Sequence, residues 1–324
     1  MSMKISRRRF IAGSAALALS APFAGRAVAA DRKLRVGVTL HPYFSYVANI
    51  VGDRADVVPL IPAGFNPHAY EPRAEDIRRV GTLDVVVLNG IGHDDFAERM
   101  IAASENPRIP VIEANRDVPL LAAVGGVSSR IGGGRTVSGQ VVNPHTFLSI
   151  TGSIQQIQTI ARELGRLDPD NAAEYVKNAR AYAQRLRKIR AAALSDLKEM
   201  PGTSFRVATI HGAYDYLLRE FGLEVTAVVE PAHGIEPSPS QLAKTIDAIR
   251  ALDVKVIFSE LNFPSTYVET IERETGIRLY PLSHIIYGEY KPQKFEVEMA
   301  ENFATVVRAI REQGGPDGRT GAIR

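Results

Sequence analysis

DPDNAAEYVKNARAYAQRLRKIRAAALSDLKEM, residues 168–200, is the stretch on which the fold turns. Asp168-Pro169 puts a proline in a first helical turn, and Pro201-Gly202 stops the run. Nothing between them breaks a helix, so the pattern predicts one helix of about 32 residues, on the order of 48 Å long at 1.5 Å per residue. A coiled-coil arm would need large apolar residues in a regular heptad. The apolar positions here are alanine-rich and irregular, which reads instead as a rigid strut between two folded halves.

Both flanks of the strut alternate strand-like and helix-like runs. Before it come LRVGVTL (34–40), a helical run at 43–52, DVVPLI (56–61), a helical run at 71–81, LDVVVLNG (83–90), an amphipathic run at 93–104 and IPVIEA (109–114). After it come FRVATIHG (205–212), EVTAVVE (224–230), VKVIFSE (254–260) and IRLYPL (277–282), each followed by a helical run. Near-continuous apolar strands separated by helices make parallel sheets covered on both faces. The expected fold is therefore α/β: two Rossmann-like lobes with parallel sheets, residues 31–167 and 202–324, joined by a spine helix at 168–201. Residues 125–139, GGVSSRIGGGRTVSG, read as a flexible loop.

Residues 1–30 read as an address. Ser6-Arg7-Arg8-Arg9-Phe10-Ile11 is a twin-arginine pattern, followed by a short apolar run and the small residues Ala27-Val28-Ala29. Cleavage near Ala29/Ala30 and a periplasmic destination are expected. Removing the leader's five basic residues, Lys4, Arg7, Arg8, Arg9 and Arg26, turns the formal charge from +3 to −2. No dense Lys/Arg block remains, so nucleic acid is not an expected partner. The 45% hydrophobic content fits a soluble globular chain with a sizeable core. There is no cysteine, which leaves no thiol for a lipid anchor and restricts any metal site to imidazole and oxygen donors.

Seven histidines are present. Asn-Pro-His occurs twice, at 66–68 and 143–145, and the proline stiffens the backbone from which His68 and His145 leave. His68 follows DVVPLI, His211 ends RVATIH and His284 follows IRLYPL, so three fall at carboxyl ends of strands, where open parallel sheets bind ligands. His145 leads into a helix that can face the same interlobe cleft. Three imidazoles with a fourth donor make a zinc site. His41 reads as a strand-end residue that caps, packs or lines the cleft, His93 as part of a helix-opening turn and His233 as a surface-loop residue. Glu71, Asp215 and Glu260 read as helix-end residues or supports rather than ligands.

NPHAYEPRAEDIRRV, NPHTFLS with LDPDNAAEYVKNARAY, VATIHGAYDYLLREFGL and EPSPSQLAKTIDAIRALDVKVIFSE, in this order, resemble the periplasmic solute-binding proteins of zinc and manganese ABC transporters, the ZnuA/TroA-like group. The resemblance runs from about residue 34 to 312. It implies a metal held between two lobes and passed to a membrane permease without chemistry, with His68, His145 and His211 as the first three ligands. Histidine rather than carboxylate at the third position points to zinc, with manganese, iron or a metal chelate as alternatives. A periplasmic metallochaperone is a further possible partner, and a monomer is expected. Where the family often has Leu-Asp-Pro-Leu, this chain reads Leu279-Tyr280-Pro281-Leu282. The fourth donor is then His284, Glu260, water, or Tyr280 with a harder ion. Residues 125–139 lack the histidines and acids that many zinc members carry in that loop. A zinc hydrolase, with Glu260 as base, is the alternative from another class.

Overall fold

Val85–Leu88, the run VVVL, is buried at every position, as a strand covered on both faces must be. In this computed structural model, which describes residues 32–67, 70–124, 136–198, 205–228, 238–261 and 265–314, that run is the third strand of a parallel sheet. The elements in order are β1 (Leu34–Val38), α1 (His41–Val51), β2 (Ala55–Pro59), α2 (Ala74–Val80), β3 (Val85–Leu88), α3 (Asp95–Ala103) and β4 (Val111–Glu113), with strand order β2-β1-β3-β4. Register is set by valines: Val36 faces Val85 and Val38 faces Val87.

The glycine-rich stretch ends in order. β5 (Thr136–Val137) and β6 (Gln140–Val141) form a hairpin. Its two turn residues, Ser138 and Gly139, have φ of 52° and 78°, the left-handed pair that suits a two-residue connection. The loop expected over 125–139 is thus a strand and turn at its carboxyl end, and residues 125–135 lie outside the described residues.

α4 (Ile150–Leu167) starts at Ser149, whose hydroxyl accepts the Gly152 amide at 3.0 Å. The strut follows as α5 (Ala172–Ser195), 24 residues, preceded by a 3-10 turn at Pro169–Asn171. It is shorter than the pattern suggests because Pro169 initiates that tighter turn and the regular helix ends at Ser195. Tyr175, Ala179, Tyr182, Ala183, Leu186 and Ala193 form its buried stripe.

The second sheet is built from β7 (Arg206–Thr209), α6 (Asp215–Arg219), β8 (Val225–Val228), α7 (Pro239–Ala251), β9 (Val254–Glu260), α8 (Ser265–Thr275), β10 (Leu279–Leu282) and α9 (Lys294–Gly314). It is also parallel, in the order β10-β9-β7-β8. One apolar cluster joins the halves: Val36, Tyr43 and Tyr46 pack in the same core as Tyr182, Val207, Phe258, Phe295 and Phe303. At the surface, Arg185 of α5 donates to Asn49 of α1 (2.6 Å) and to Glu296 of α9 (2.9 Å). Among the described residues no helix is long and apolar enough to cross a membrane.

Candidate metal centre

Three of the four histidines expected at the site come together. His145 Nε2 and His211 Nε2 lie 3.4 Å apart. The His284 ring centroid is 4.9 Å from that of His145 and 5.2 Å from that of His211. All three are at most 4% exposed. His68, the fourth, lies outside the described residues, as does His233. Two further side chains complete the cluster. The ligand atoms of His93, His145 and His284 all lie within 4.8 Å of one another, and so do those of His211, Glu260 and His284. Histidine 284 belongs to both groups.

The folding logic follows the strand ends. β3 ends at Leu88, and Asn89-Gly90-Ile91-Gly92 carries the chain to His93, with Gly90 at φ 73° and Gly92 at φ 103°. A side chain on Gly90 would also meet Glu113 Cγ at 3.1 Å. Asp94 pins this loop, accepting from Thr39 Oγ1 (2.6 Å), Asn89 N (2.5 Å) and Gly90 N (3.1 Å). Burial pushes its carboxyl up to about 6, against the pull of those hydrogen bonds. His211 and His284 follow β7 and β10, and Glu260 is the last residue of β9.

His145 is oriented by its neighbour two residues back. Asn143 Nδ2 donates to Gly212 O (2.9 Å) and Asp215 Oδ2 (2.8 Å), which fixes the amide so that Oδ1 faces the imidazole. His145 Nδ1 therefore donates to Asn143 Oδ1 at 2.8 Å, leaving the Nε2 lone pair toward His211. Burial raises the Asp215 carboxyl to about 6, with the Asn143 bond opposing it. His284 is set by Ser283, whose amide donates to Asn302 Oδ1 (2.7 Å) and whose carbonyl accepts from Asn302 Nδ2 (2.8 Å). The next residue, Ile285, has φ of 61°, a strained backbone for a β-branched side chain.

Glu260 Oε1 is 3.3 Å from His284 Nδ1. Burial alone would raise this carboxyl, but the contacts with His284 and then His211 hold it below the ordinary glutamate range. Burial, followed by the neighbouring His284, pushes the His93 imidazolium well below its ordinary pKa, so the ring stays neutral and able to bind metal. Phe147 closes one side, its ring 15° from parallel to His284 at 6.0 Å. Among the described residues the donor set is thus four imidazoles and one carboxylate, with His93 just beyond β3 of the first sheet, His145 at the entrance to α4, and His211, Glu260 and His284 at the carboxyl ends of the second sheet.

Other candidates lie elsewhere. Tyr280 sends its hydroxyl to Glu312 Oε2 (2.6 Å) of α9, so it is not placed to complete the cluster. His41 donates from Nε2 to Gly288 O (2.7 Å) and stacks on Tyr290 at 3.9 Å, a packing role. Glu71 is exposed. Asp215 accepts from Asn143 Nδ2 and so stands behind His145 rather than in the cluster. His93 is the residue that sequence reasoning underweighted. It does flank a helix start, since α3 begins at Asp95, yet it also follows a buried strand by only a short glycine-bearing loop. The same strand-end rule that singled out His211 would have found it.

Among solved structures, FpvC from Pseudomonas aeruginosa in complex with Mn2+ is 73% identical, with a TM-score of 0.81 over 87% of this chain and 100% of that one. FpvC in complex with Ni2+ is 71% identical, with a TM-score of 0.80 over 88% and 99%. The zinc-binding lipoprotein AdcA of Streptococcus pneumoniae is 26% identical over 290 residues, 89% of this chain and 58% of AdcA, so the chain spans little more than half of that relative. Residues 36–309, which carry both sheets, the strut and the histidine cluster, match the family described as zinc-uptake complex component A, periplasmic, and the chain belongs to that ZnuA family.

Proposed function

We propose that this protein is the metal-binding component of an ABC importer: it takes up one divalent transition metal ion at the histidine cluster and passes it unchanged to a membrane permease. The observation that carries this reading is the convergence of three buried histidines, His145 at the entrance to the helices of the first half and His211 and His284 just beyond β7 and β10 of the second. We assign His68 to the same ion because it follows β2 in a second Asn-Pro-His. Zinc is the first cargo, since an imidazole-rich set suits it. Manganese or iron is the second reading, favoured by the 73% identity to FpvC, whose structure holds Mn2+. Export by the twin-arginine route, cleavage near Ala29/Ala30, a periplasmic monomer with lobes at 31–167 and 202–324 about the 168–201 spine, and delivery of zinc by a metallochaperone complete the proposal. The hydrolase alternative requires Glu260 as a base, whereas its carboxylate lies against His284.

Calorimetric titration of metal-stripped protein with zinc and manganese tests the proposal. One ion per chain is expected, with binding lost in His145→Ala and His211→Ala. Failure of the wild type to bind either ion, or full binding by both variants, would overturn it.

A further inference from the structure

Five donors face one small space: His93, His145, His211, His284 and Glu260. Tetrahedral zinc uses four. Two donors on opposite sides of an ion, each about 2.1 Å away, lie about 4.2 Å apart. Each group spans at most 4.8 Å, close to that separation, and the two groups meet where His145 Nε2 of one lies 3.4 Å from His211 Nε2 of the other.

His93 is the added member. Its ring centroid lies 5.0 Å from His145 and 5.9 Å from His284, edge-on to both. The plain alternative is a core histidine packed on Phe147, 5.3 Å away. Two features favour a donor. The loop is pinned by the buried Asp94, which accepts three hydrogen bonds, so the ring is held in place rather than merely enclosed. The ring is also the member through which one of the two donor groups closes.

We propose that His93 is a specificity-determining donor that widens the cargo from four-coordinate zinc to ions that take five or six ligands, such as Mn2+, Fe2+ and Ni2+. This rests on the metal-receptor reading above. Mn2+ and Fe2+ favour a larger shell than four donors, so an imidazole that four-coordinate zinc leaves unused adds to their binding. Zinc satisfies its shell without it. His93 thus sets how evenly the site treats different ions, and the other histidines set whether it binds at all.

The test compares Mn2+ and Zn2+ affinity of the wild type with His93→Ala and His93→Gln, two variants that differ in the volume they leave. Melting of each without metal checks the fold. The cobalt(II) absorption spectrum of each reports coordination number. Manganese affinity is expected to fall about tenfold or more, the size of effect that supporting groups at metal sites carry, and zinc affinity by less than about threefold. The weak d–d bands of five- or six-coordinate cobalt are expected to become the intense bands of a four-coordinate ion. Equal losses for both ions, no loss for either, or an unchanged cobalt spectrum would overturn the role of His93 while leaving the receptor reading intact. A wild type that binds neither ion would overturn both.

Discussion

Asn143 shows how one side chain can orient a histidine two residues away. Its amide accepts from His145 Nδ1 and donates to Asp215, so the ring orientation depends on a residue 72 positions away in sequence. Asn143→Ala removes the acceptor that fixes the tautomer, and metal affinity is expected to drop by about 10–100-fold, measured by competition with a chelator. Asp215→Asn should weaken binding in the same direction but less, because Asn143 keeps Gly212 O as a partner. His211 and His284 were legible in the sequence because they sit where strands end, and His145 because it follows the repeated Asn-Pro and leads into a helix. Their supports were not: Asn143 meets Asp215 only after the halves have packed, and Ser283 meets Asn302 only once α9 has folded back on β10. Tyr280, one of the candidates left open for the fourth donor, instead turns its hydroxyl to Glu312 of α9, a contact that the strand pattern does not reveal.

Among the elements, the segment from Gly288 to Pro292 acts as a strap between the halves. Gly288 O accepts from His41, Lys291 O from Ser45 (3.0 Å) and Pro292 O from Asn49 (2.9 Å), all on α1. Tyr290 stacks on His41 and donates to Ile61 O (3.1 Å), two residues beyond β2. Tyr290→Phe keeps the stacking and loses that one bond, so a cost of about 1 kcal/mol is expected in denaturant unfolding. Burial lowers the His41 pKa from 6.5 to about 4, with the Gly288 bond opposing and Lys294 and Glu298 acting weakly in opposite directions. Between those values the unfolded chain binds the proton and the folded one does not. Acidification from pH 6.5 to 4 should therefore destabilise the metal-free protein, by at most about 3 kcal/mol from this residue. In His41→Phe the pH profile of the unfolding midpoint should be flatter over that window; an unaltered slope would contradict the assignment. The α/β alternation was readable because buried parallel strands are apolar throughout, as at Val85–Leu88. The strap was not, because irregular backbone joined to α1 across about 250 residues leaves no period in the sequence.

A single apolar core runs from β1 through α1, α4 and α5 to β7, β9 and α9, and it makes wide hinge opening of the halves costly. Metal binding should instead act locally and stabilise the folded chain through mass action, by about 4 kcal/mol when free metal is a thousand times the dissociation constant. The melting temperature is thus expected to rise with zinc in the wild type and to stay constant in His145→Ala. The central claim is that one ion sits among the histidines from both halves. Anomalous diffraction from crystals of the metal-loaded protein, collected on both sides of the metal's absorption edge, tests it most directly. A single peak about 2.0–2.3 Å from His145 Nε2 and from donor atoms of His211 and His284 is the predicted result. A peak elsewhere, or none in protein shown to carry metal, would contradict it.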